Sequence, residues 1–169
     1  MKRPGPLYAW PMMFTANMPG VALGIARGAL DEVLEIARNK RGMDGSKLSD
    51  EPWLHSELAK TDAAVRSVRA LILATLEEIW ETLLRGEHVP RELSARFRGA
   101  MTYCFDVCCT AVDDLYRAVG SSALYVARSS LDRRLRDIHT VRQHIVLSPK
   151  TYESAGRVML GLPVQQALF

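Results

Sequence analysis

A chain of 169 residues is the size of one folding domain and can bury a core without disulfide or metal staples. With 48% hydrophobic and 24% charged residues its composition is globular, neither disordered nor membrane-like. The net charge of +3 is too small to point to nucleic acid.

In chain order, Pro4, Pro6 and Pro11 interrupt the start before any apolar run of signal length. Residues 1–16 therefore read as an extended lead-in to a helical bundle domain over 17–169, without a secretory signal. A helix is predicted from Met18 to Lys40, with Leu30, Val33 and Ile36 among its apolar positions. Gly20, Gly24 and Gly28 fall four apart on one face of it. Each glycine costs roughly 1 kcal/mol against alanine in a helix, so three in register predict close approach by another helix or by a cofactor.

RGMDGSKLSDEP is a loop, with Ser49 or Asp50 as N-cap and Pro52 in the first turn of the next helix. That helix runs to Leu84, and Leu54, Leu58, Val65, Val68, Ile72, Ile79 and Leu83 mark one buried stripe. Glu77, Glu78 and Glu81 exclude a membrane span from its most apolar part. A third helix is predicted from Arg91 to Val119, stopped by Gly120.

The third helix carries all three cysteines, Cys104, Cys108 and Cys109, whose odd count and C-x3-C-C spacing fit neither a disulfide framework nor a zinc site. They read as small buried side chains, no metal site is expected, and reduced thiols fit a cytoplasmic setting. A fourth helix is predicted from Leu131 to Leu147 and a short fifth from Ser148 and Pro149 to Leu160. No segment alternates with the period of a strand. The fold class is therefore all-α: an up-and-down four-helix bundle with a short additional C-terminal helix.

The fourth helix concentrates the charge. Leu131, Leu135, Ile138, Val141 and Ile145 form its apolar stripe, and His144 borders it. His139 and His144 are five apart, about 140° around a helix, and cannot share one metal. Arg128, Arg133, Arg134, Arg136 and Arg142 outnumber Asp132 and Asp137. The pairs Asp132–Arg136 and Arg133–Asp137 would make a solvated, salt-bridged face, whereas free guanidinium forks would suit phosphate. Interleaved aromatics are missing here, so nucleic acid is not favoured.

The run GSSALYVARSSLDRRLRDIHTVRQHIVLSPKTYESAGRVMLGL over 120–162, with GVALGIARGALDEVLEIARNK over 20–40, resembles the C-terminal helical domain of the acyl-CoA dehydrogenase superfamily. It is closer to the type-2 branch, which includes flavin-dependent aromatic monooxygenases. The resemblance implies that an N-terminal helical domain and a β-domain precede this chain, and that the chain is inactive without them. The dehydrogenases' catalytic glutamate has no counterpart at Gln143, His144, Ile145 and Val146.

The monooxygenase branch instead places a histidine where His144 stands, which makes His144 the candidate catalytic residue. An imidazole can take a proton from a phenol or give one to the flavin near neutral pH. Arg38 and Arg41 lie where the family sends an arginine across a subunit interface to the flavin. Either could equally answer the helix macrodipole. Arg38, Arg41 and, as a supporting residue, His139 are the implied cofactor-binding set.

The implied cofactor is FAD or FMN. The implied partners are further copies of the chain in a dimer or tetramer, a separate flavin reductase, and a small aromatic or acyl substrate. The alternative function is a non-catalytic helical assembly module that keeps the family's oligomer interface.

Overall fold

The computed structural model describes residues 5–125 and 129–164. Arg128 and the chain ends lie outside the described residues. Five α-helices are formed: α1 Met18–Asn39, α2 Pro52–Leu84, α3 Arg91–Ala118, α4 Leu131–Arg142 and α5 Lys150–Met159. There is no strand among the described residues, only an isolated bridge between Arg41 and Lys47. The fold is all-α. No helix among the described residues is long and apolar enough to cross a membrane.

Helix α3 is the centre, packed by α1, α2, α4 and α5. Its sequence explains that position, since Asp106 is the sole charge between Gly99 and Val112. Small residues let neighbours close in, and Phe97, Met101, Cys104, Phe105 and Cys108 are all buried. The three thiols are unpaired and buried. Burial, then the Asp113 carboxylate, pushes the Cys109 thiol up to about 11, so it remains protonated near neutral pH.

Helix α2 buries the stripe the sequence marks: Leu54, Val65, Val68, Ile72, Ile79 and Leu83 are buried, with Leu58 partly so. Each such side chain contributes roughly 1.5–3 kcal/mol by leaving water. The helix starts at Pro52 with Glu51 as N-cap, after a 3-10 turn Leu48–Asp50, so neither Ser49 nor Asp50 caps it. Gly120 ends the third segment as expected, at φ +54° where a side chain would be strained.

Four further expectations are corrected. The lead-in is not extended, because it forms 3-10 turns at Pro6–Tyr8 and Pro11–Thr15. Trp10 and Met12 join the core, with the Trp10 ring set edge-on to Phe97 at 5.5 Å. Of the three aligned glycines, an added Cβ would meet nothing within 4 Å at Gly20 or Gly24. Only Gly28 is closely approached, by the Arg134 guanidinium of α4 rather than by a helix backbone.

The third correction is that α4 is short, at 12 residues. It ends at Arg142, and Ile145–Leu147 forms a 3-10 turn that leaves Ile145 84% exposed instead of on the buried stripe. Pro149 supplies part of the reason, since it forces Ser148 out of helical geometry, to ψ 142°. The fourth is that Arg133–Asp137 makes no ion pair among the described residues, whereas Asp132–Arg136 closes at 3.0 Å.

Candidate functional site

The end of α4 meets the start of α1 at a small open cleft of about 360 Å³. Met18, Val21, Phe105 and Val141 line it with apolar surface, and His144 stands among the lining residues as the ionisable one. His144 is exposed and caps the Ile145–Leu147 turn, its Nδ1 accepting from the Val146 amide at 3.2 Å. With Nδ1 accepting, the neutral ring carries its proton on Nε2. The imidazole therefore offers a donor beside an apolar cleft, the arrangement that suits a planar aromatic molecule bearing one polar group.

Three side chains brace this corner. Arg142 donates from Nε to Asp106 Oδ1 at 2.5 Å and from Nη1 to the Leu147 carbonyl at 2.6 Å. Tyr152 Oη donates to Asp106 Oδ2 at 2.7 Å. Burial and that bond push the Tyr152 phenol up, so it stays a donor.

The other predicted site residues lie elsewhere. His139 is half-exposed and its Nε2 is bonded to Asp113 Oδ1 at 2.8 Å, away from the lining of the cleft. Arg38 is exposed at the end of α1, with no ion pair among the described residues. Arg41 reaches the Gly45 carbonyl at 3.2 Å and holds its own loop. From Val21, which lines the cleft, to Arg38 is about 26 Å along the helix at ~1.5 Å per residue, so Arg38 stands well away from the cleft.

A second basin, of about 780 Å³, opens between α1 and the GSSAL turn. There Glu32 accepts from Ser129 Oγ at 2.8 Å, from the Ser130 amide at 2.6 Å and from Arg134 Nε at 3.3 Å. Burial opposes the charge on Glu32, but hydrogen bonds led by Ser130 and Ser129 outweigh it and hold the carboxyl below its ordinary range. Glu32 and Arg134 were not legible in the sequence as a pair, because 102 positions separate them.

Residues 17–149 match the family described as acyl-CoA dehydrogenase, C-terminal domain. The chain belongs to this family. This acyl-CoA dehydrogenase C-terminal domain is 31% identical over 159 residues to indole-3-acetate monooxygenase of Pseudomonas putida, covering 92% of the chain and 41% of that protein. It is 25% identical over 162 residues to the oxygenase subunit HsaA of a flavin-dependent monooxygenase from Rhodococcus jostii, covering 94% of the chain and 42% of the relative. Among solved structures it superposes on 3-HSA hydroxylase from Rhodococcus sp. RHA1 with a TM-score of 0.88 and 25% identity, covering 98% of the chain and 44% of that structure. The domain thus spans about two fifths of the length of the relatives it matches.

Proposed function

We propose that this domain is the C-terminal part of the oxygenase component of a two-component flavin-dependent monooxygenase acting on a small aromatic substrate. The observation that carries the reading is His144 on the edge of the apolar cleft between α1 and α4. Likeness to the oxygenase subunit of a flavin-dependent monooxygenase supports the class of reaction. Bound reduced flavin, FAD or FMN, would supply the electrons that activate dioxygen.

The chain's own residues would do the rest. Met18, Val21, Phe105 and Val141 exclude water from an aromatic ring. His144 exchanges a proton with a phenolic or similar polar group through Nε2. Arg38, well away from the cleft of its own copy, holds a flavin phosphate for a neighbouring one. Arg41 shapes the loop behind it, and His139, tied to Asp113, supports the helix that leads into the His144 turn.

On this reading the active form is a dimer or tetramer of longer chains that include further helical and β-domains. A separate reductase delivers the reduced flavin, and the unpaired buried thiols suit the cytoplasm. The test is equilibrium titration of the 169-residue chain with FAD and with FMN, oxidised and reduced, alongside its mass in solution. Saturable binding by an oligomer, lost in Arg38→Gln, is the expected result. Undiminished flavin affinity in Arg38→Gln would remove Arg38 from the flavin site, and a folded oligomer that binds neither flavin would assign the site to the domains that complete the longer protein.

A further inference from the structure

His144 sits on the exposed side of a segment whose other side, Val146 and Leu147, is buried in the core. Ile145 beside it is 84% exposed, and Gln143 and His144 are exposed as well. The turn is held internally by Leu147 N donating to the His144 carbonyl at 2.8 Å and by Ser148 N donating to that of Ile145 at 3.2 Å. Thr151 Oγ1 reaches the Val146 carbonyl at 3.5 Å, the limit of a hydrogen bond. Burial of Val146 and Leu147 in the core holds the far side of this turn, and it keeps its shape when its near side is tied to the bundle as well.

Arg142 makes that tie with two nitrogens at once. Nε is anchored on Asp106 of α3, and Nη1 holds the carbonyl of Leu147, so the guanidinium bridges the first and last residues of the stretch 142–147 that has His144 in its middle. The Arg142 side chain is only 18% exposed and its Asp106 partner 38%, so these charge-assisted bonds are partly shielded from solvent. Asp106 has its second oxygen bonded by Tyr152 of α5, which fixes the carboxylate's orientation.

We infer that Arg142 is the positioning residue of His144: anchored by Asp106 and Tyr152, it closes the 142–147 turn and so holds Nδ1 on the Val146 amide and Nε2 free to donate at the cleft. Arg142 itself is not among the residues lining the cleft and acts through the turn. The inference rests on the proposed role of His144, and its test separates the two.

The experiment is nitrogen-15 NMR of the 169-residue chain in alkaline buffer, reading the His144 ring tautomer and the hydrogen exchange of the Val146 amide. In the unaltered chain the Nε2–H form dominates. Arg142→Gln is expected to give a mixture of tautomers and to speed Val146 exchange about tenfold, the worth of one hydrogen bond. Arg142→Lys keeps the charge but has one nitrogen for two acceptors, so it fails to restore either reading.

Tyr152→Phe removes one partly exposed hydroxyl and gives the same change in smaller degree; it decides the matter should Arg142→Gln not fold. Unaltered tautomer and exchange in folded Arg142→Gln, or in Tyr152→Phe when that variant must serve, would overturn the positioning role. Released His144 together with undiminished hydroxylation, in a protein that carries the completing domains, would leave the positioning intact and overturn the catalytic role instead.

Discussion

His144 has one ring nitrogen engaged by the backbone and the other free, which fixes the direction in which it can work. In a protein carrying this domain with its completing segments, His144→Ala should cut hydroxylation about 10²-fold or more while flavin affinity holds, since general acid–base groups contribute on that scale. Turnover and flavin titration on the same variant check this. Glu32 gives a second prediction at this scale, because its folded carboxyl lies below the ordinary value of 4.5. The stabilisation it provides is present above that value and is lost as pH falls through its lower folded value. Acid unfolding of Glu32→Gln should therefore be shallower than that of the unaltered chain below pH 4.5.

At the scale of the element, α1 shows how one glycine differs from its neighbours in register. Gly24→Ala should stabilise the chain by about 1 kcal/mol, because alanine favours helix and its Cβ meets nothing there. Gly28→Ala should forfeit that gain, since its Cβ would collide with the Arg134 guanidinium and push it off Glu32. Urea unfolding of the two variants side by side reads the difference. The same lesson holds for α4, whose periodic stripe continues on paper to Ile145. Its backbone leaves the helix after Arg142, where His144 takes the Val146 amide and the arginine takes the Leu147 carbonyl.

For the whole molecule, the aperiodic residues ahead of α1 are part of the core rather than a tether. Trp10→Ala should cost about 3 kcal/mol or more in urea unfolding, because a buried ring against Phe97 leaves a cavity when truncated. The same scale governs the site. With Arg38 and His144 near opposite ends of α1, a complete flavin site on this reading needs two copies, so flavin affinity should fall together with the oligomer on dilution. Light scattering and flavin titration over one concentration series test that dependence.

The amino-acid sequence by itself determined the all-α class, the boundaries of α1, α2 and α3, and the buried stripe of α2. Those features are local: an apolar period of three and four, a proline at Pro52 and a glycine at Gly120 act within a few residues of themselves. Quoted motifs were also enough to show the family resemblance, and with it the singling out of His144. What the tertiary structure decided is everything that depends on distant partners. Arg142 meets Asp106 across 36 positions and Glu32 meets Arg134 across 102, distances over which sequence spacing carries no geometric signal. Trp10 enters the core because its ring packs edge-on against Phe97 of α3, and where α4 stops and which of three aligned glycines is approached are likewise set in the folded chain, not by the periodic pattern.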